Sequence, residues 1–153
     1  MRDILNNRRI LVGAACATFA LAGCETVEEA VDDTVGSDFR ATLSGDNEVP
    51  AGDPDGWGRA EVSINDATDR ICIDLEVRAI SAVTAAHIHR GAAGVNGPPV
   101  VNIDSPDDND SDDCDSITDA LADEIRANPS AFYVNVHTAD FPNGAIRGQL
   151  RRD

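Results

Sequence analysis

Apolar and polar residues alternate along most of the chain after residue 38, a pattern typical of strands that are buried on one face. The clearest example is residues 70–78, where every second side chain is aliphatic and the others, Cys72 among them, are charged or polar. Turns rich in Gly, Pro and Asp at 45–56 and 91–99 separate such segments. The predicted strands are residues 39–43, 57–64, 70–78, 83–89, 99–103, 132–137 and 145–150.

One helix is predicted over residues 117–127. Ser116 can cap its first turn, Asp119 lies near the positive end of its dipole, and Pro129 follows its end. Its predicted buried stripe consists of Ile117, Leu121 and Ile125. Seven short strands and a single helix predict a mainly β fold, namely an antiparallel β-sandwich or barrel with one short helix.

The first residues have the layout of an export signal. Three arginines precede an uncharged stretch over residues 10–22, which is shorter than the ~20 residues that a spanning helix needs. The sequence Leu-Ala-Gly-Cys that ends at Cys24 resembles a lipobox, which implies that the Cys24 sulfur carries lipid and that the preceding residues are removed. An ordinary signal peptide cut nearby is the alternative.

This reading predicts a lipoprotein signal peptide over residues 1–23, an acidic tether over 24–37 and a β domain over 38–153. We therefore expect an exported protein that is anchored to the cell membrane or envelope by its lipid, with the domain outside the cytoplasm. The net charge of −16 disfavours a nucleic-acid partner, since phosphate binding needs clustered basic residues. Abundant carboxylates with no Lys resemble halophilic proteins, whose charges concentrated salt screens; an acidic secreted protein is the alternative.

The cysteines have separate predicted fates. Cys16 lies in the apolar part of the export signal and Cys24 at the lipobox, so Cys72 and Cys114 remain to form a disulfide in an oxidising compartment. Seven Asp crowd residues 104–115, which favours a solvated acidic loop pinned by Cys114. A calcium site is the alternative for this run, although the spacing of an EF-hand is missing.

Three stretches, taken in order, carry a family resemblance: Leu-Ser-Gly-Asp-Asn-Glu-Val-Pro at 43–50, Ala-His-Ile-His-Arg-Gly onwards at 86–101, and Asn-Pro-Ser-Ala-Phe-Tyr onwards at 128–150. Together they resemble the CHRD domain, first described in chordin, and the similarity covers residues 39–150. The resemblance implies a β fold, an extracellular setting and a disulfide between Cys72 and Cys114. It implies no established activity.

All three histidines lie inside these stretches. His87 and His89 are two apart on a strand and project from one face. If the relevant strands are neighbours, that face also holds His137, with the possible ligand-site neighbours Tyr133, Asn135, Arg147 and Gln149. A His-x-His pair with a remote third His resembles the copper side of Cu/Zn superoxide dismutases, so the topology is expected to be superoxide-dismutase-like or Ig-like.

These histidines have two readings. As candidate metal ligands they would take copper or zinc, which imidazole suits. As structural residues they would hydrogen-bond loop backbones around 91–99 and 140–144. The remaining dismutase ligands are missing, as are a Gly-x-Ser-x-Gly stretch, a phosphate loop and a His-Glu-x-x-His stretch.

The sequence therefore predicts a non-enzymatic surface lipoprotein whose domain is an interaction, adhesion or envelope module with a protein or glycan partner. The alternative is a metal-binding protein of the copper type, with a redox role.

Overall fold

The computed structural model describes residues 36–106 and 109–153. The predicted signal peptide, Cys24 and most of the predicted tether lie outside these residues. The strands are β1 (Gly36–Ser44), β2 (Trp57–Asn65), β3 (Arg70–Arg78), β4 (Val83–Arg90), β5 (Pro99–Ile103), β6 (Asp110–Ser116), β7 (Phe132–Thr138), β8 (Ile146–Gln149) and β9 (Arg151–Arg152). The helix α1 spans Asp119–Ala127, and short 3-10 helices span Gly45–Asn47 and Pro129–Ala131.

The strands form one antiparallel sheet in the order β5-β4-β7-β8-β1-β2-β3-β6, with β9 paired to β1. The sheet is curled into a nearly closed, barrel-like form, which confirms the predicted mainly β fold with one helix. The order matters for the site, because it places β4, β7 and β8 side by side.

The alternation seen in the sequence corresponds to burial. In β2 and β3 every second residue is buried, and these residues face one another across the two strands. Ile73 of β3 and Val101 of β5 belong to the same core although their strands lie far apart in the order, so the sheet must curve around that core. Each buried aliphatic side chain contributes about 1.5–3 kcal/mol to folding.

The acidic run departs from the prediction. Asp110–Ser116 forms β6, an edge strand paired with β3, rather than a loop. Cys114 lies directly opposite Cys72 in this ladder and the two form the predicted disulfide, with their Cα atoms 4.0 Å apart. Acidic side chains suit an exposed edge because they discourage pairing with other chains. The calcium alternative for this run stays a prediction.

The helix begins two residues later than predicted. Its N-cap is Thr118, whose Oγ1 accepts a hydrogen bond from the backbone N–H of Leu121, and not Ser116. Ile117 precedes the helix and is buried, and within the helix the fully buried side chains are Ala122 and Ile125. Among the described residues, no helix has the length and apolar character needed to cross a membrane.

Candidate metal centre

The polar residues that were predicted to share a face lie on β4, β7 and β8, on the side of these strands that points away from the aliphatic core. This side is called the outward face below. In the ladder His87 lies opposite Asn135, which lies opposite Arg147. Two residues further along β4, His89 lies opposite Tyr133 of β7, which in turn lies opposite Gln149 of β8. The strands are therefore neighbours, as the shared face required, and the loops that cover this face bury several of its residues.

His87, His89 and His137 form a tight cluster. Each offers one ring nitrogen, and these three nitrogens lie within 4.8 Å of one another. The ring centroids are 5.3–6.1 Å apart. Within residues 36–106 and 109–153, this is the only group of three or more His, Cys, Asp or Glu residues placed to share a metal ion.

Two loops orient the imidazole rings. His89 Nδ1 lies 2.8 Å from the carbonyl oxygen of Gly97, and His137 Nδ1 lies 3.1 Å from that of Pro142. A carbonyl only accepts, so both Nδ1 atoms carry the proton and both Nε2 atoms carry a lone pair. These are the backbone contacts that the structural reading of the histidines predicted, and they also prepare the rings as ligands.

Each of the three rings also has a nitrogen that is a candidate metal ligand. His87 Nδ1, His89 Nε2 and His137 Nε2 are buried and have no hydrogen-bond partner among the residues that the structure describes. Buried polar atoms are normally satisfied, so each such atom calls for an explanation. One metal ion bound by all three nitrogens would explain them together.

The electrostatics favour neutral imidazole, which is the form that binds metals. Burial lowers the pKa of all three histidines below the ordinary value of 6.5. The charges of His137 and His89 add to this effect on the pKa of His87. The hydrogen bonds to Gly97 and Pro142 act in the opposite direction on the pKa values of their own partners.

Buried side chains of Tyr133, Arg147 and Glu48 pack in succession, beginning at the His89 ring. The His89 ring stacks on Tyr133 with centroids 5.0 Å apart, and the Arg147 guanidinium lies 4.7 Å from the centroid of the same tyrosine ring. Arg147 Nε donates to Glu48 Oε2 over 2.7 Å, in an ion pair whose side chains are 3% and 1% exposed. Burial raises the pKa of Glu48, and the hydrogen bond and charge of Arg147 oppose that shift.

Glu48 and Asn96 belong to this region, and the sequence analysis did not identify them. Asn96 accepts a hydrogen bond from Arg147 over 2.6 Å and donates one to the carbonyl of Val49 over 2.7 Å, so it ties two loops together. Both residues lie inside the stretches that carry the family resemblance, which was the available signal. Gln149 instead donates to the carbonyls of Gly91 and Ser130 and holds the covering loops.

The unsatisfied atoms are concentrated here. Among the described residues, seven buried side-chain polar atoms lack a partner, and five of them belong to this face and its cover. They are Glu48 Oε1, His87 Nδ1, His89 Nε2, Asn135 Oδ1 and His137 Nε2. Such a concentration is typical of a site that is completed by a molecule or ion from outside the chain.

The comparison with protein families gives one match, to the model described as CHRD domain, over residues 39–150. This covers most of the chain, which therefore belongs to the CHRD domain family and confirms the resemblance in the sequence. No curated protein and no solved structure matches the chain.

Proposed function

We propose that this CHRD domain is a non-enzymatic metal-binding protein. It binds a single copper or zinc ion through His87 Nδ1, His89 Nε2 and His137 Nε2. Two observations carry the proposal: one ring nitrogen of each histidine lies within 4.8 Å of one from each of the other two, and each ring has a buried nitrogen that no described residue pairs with. Three neutral nitrogen donors suit Cu and Zn, whereas Ca²⁺ and Mg²⁺ take oxygen ligands.

The geometry is close to what such an ion requires. Zn–N bonds of 2.0–2.1 Å in a tetrahedral site hold the nitrogens about 3.3 Å apart. The observed nitrogens lie within 4.8 Å of one another, so none of these distances exceeds the tetrahedral spacing by more than about 1.5 Å. Two of the rings already have the tautomer that presents Nε2, so the loops have preorganised the site.

The test is a titration of the purified, chelator-stripped full chain with Cu(II) and Zn(II), followed by calorimetry. We expect one ion per chain, and a loss of affinity of more than about 100-fold for His89→Ala or His137→Ala, since even residues that only support metal ligands cost 10–100-fold. At a free metal concentration of 100 times Kd, the bound ion should add about 2.7 kcal/mol to the free energy of unfolding.

Asn102→Ala is the matched control for these variants. Asn102 lies opposite His87 on β5 but is exposed, so its replacement should leave the metal affinity unchanged. Wild-type protein that binds no stoichiometric copper or zinc would overturn the proposal. In that case the hydrogen bonds to Gly97 and Pro142 would be the whole function of the histidines.

The proposal also places this domain outside the cytoplasm, tethered by a lipid on Cys24. The disulfide between Cys72 and Cys114 supports an oxidising compartment, where such bonds persist. The full sequence has a net charge of −16, and a strongly charged protein stays soluble in the solvent outside a membrane. The interaction, adhesion or envelope role, with a protein or glycan partner, stays a prediction.

Replacement of Cys24 by Ser tests the anchor. We expect the wild-type protein to sediment with membranes and to partition into detergent, and Cys24→Ser to remain in the soluble exported fraction, because one thioether-linked lipid is the proposed attachment. Mass spectrometry of the wild-type N-terminal peptide should show the added acyl mass. Membrane association that survives the substitution would contradict lipidation at Cys24.

A further inference from the structure

Asn135 occupies the centre of the outward face. It lies between His87 on one neighbouring strand and Arg147 on the other, and Tyr133 and His137 flank it along β7 on the same face. Asn135 is only 3% exposed to solvent. Its Oδ1 atom is buried and accepts no hydrogen bond from any described residue.

A buried amide without a partner is costly to folding, so its position calls for a binding role. Leucine has nearly the same shape and would fill this space without that cost. The chain nevertheless places an amide among the three candidate metal ligands. None of residues 36–106 and 109–153 pairs with Oδ1, so a ligand from outside the described part of the chain is the partner that this atom calls for.

The proposed ion has room for that partner. Three protein nitrogens leave the fourth position of a tetrahedral site open, and zinc and copper fill such a position with water or a small exogenous ligand. An amide suits a ligand of this kind, since its oxygen accepts a hydrogen bond from bound water and its NH₂ group can donate one to an anion.

We infer that Asn135 is a positioning residue that hydrogen-bonds a small ligand, water or a small anion that replaces it, at the open position of the metal held by the three histidines. This inference rests on the proposed function. It adds a binding site for a small inorganic ligand and assigns its recognition to one amide.

The test uses azide as the probe, added to the Cu(II)-loaded full chain and followed by the azide-to-copper absorption band and by electron paramagnetic resonance. Asn135→Leu should still bind one copper ion per chain, and should bind azide about tenfold or more weakly than the wild type. Asn102→Leu is the matched control, because it changes the same residue type on the other side of His87 and should leave azide affinity unchanged.

The unfolding of the metal-free proteins supplies a second readout. A purely structural Asn135 would make Asn135→Leu less stable, whereas removal of an unpaired amide should leave stability equal or higher. Asn135→Ala gives the same comparison if the leucine variant does not fold. Copper-loaded Asn135 variants with wild-type azide affinity would overturn this inference alone. Failure of the wild-type protein to bind either copper or zinc would overturn both proposals.

Discussion

Replacement of Arg147 by Met is expected to lower the free energy of unfolding by about 3–5 kcal/mol, because it leaves the Glu48 carboxylate buried without its counter-ion. The pair is almost fully buried, and the Glu48 side chain is 1% exposed. Within the described part of the chain its second oxygen, Oε1, has no partner, and Arg147 supplies the only hydrogen bond that a side chain gives this carboxylate.

Chemical denaturation of Arg147→Met, Glu48→Gln and the double variant Glu48→Leu/Arg147→Met would measure the effect. Replacing both charges by apolar groups should cost clearly less than the sum of the two single changes, since neither charge is then left alone. Arg90 and Glu124 form a similarly short pair, at 2.6 Å, whose side chains are 44% and 46% exposed. Arg90→Met should therefore cost less than about 1 kcal/mol.

Arg147→Met should also lower the affinity of the candidate site for metal. Arg147 packs on the face of Tyr133 and holds Asn96, whose loop carries the Gly97 carbonyl that orients His89. Loss of an orienting partner typically costs 10–100-fold in metal affinity. An Arg147→Met protein that is much less stable but binds copper as tightly as the wild type would show that stability and metal binding are separate.

Much of the fold was predictable because burial on one face leaves a period of two in the sequence. The strand Arg70–Arg78 has the predicted ends because its aliphatic residues alternate without interruption. Asp110–Ser116 carries no such signal, since it is made of Asp, Ser and one Cys, residues with little preference for strands. Its strand is imposed by pairing with β3 and by the disulfide, which a local pattern does not record.

The candidate site, like the fold, was predictable from the sequence only in part. That His87 and His89 share a face follows from their spacing of two. That His137 and Arg147 join them depends on β7 lying between β4 and β8, and this order is a property of the whole sheet. Glu48 was missed because a lone acidic residue in a turn rich in Gly and Pro normally faces solvent, and its burial is imposed by Arg147, a residue 99 positions away.

Removal of the disulfide by the double change Cys72→Ala/Cys114→Ala is expected to cost up to about 4 kcal/mol of unfolding free energy, because the bond closes a long loop and restricts the unfolded chain. The two cysteines are 42 positions apart. The bond also holds β6, a strand with few apolar residues of its own. Hydrogen exchange of the β6 amides should therefore accelerate more than that of β2.

Metal binding should survive this change. The histidines lie on β4 and β7, whereas β6 forms its ladder with β3, so loss of the disulfide alters neither the ligands nor the loops that orient them. We expect copper affinity within about threefold of the wild type, measured where the variant is folded. A large loss of affinity would mean that the edge strand and the metal centre are coupled through the barrel, and that the oxidation state of Cys72 and Cys114 controls the site.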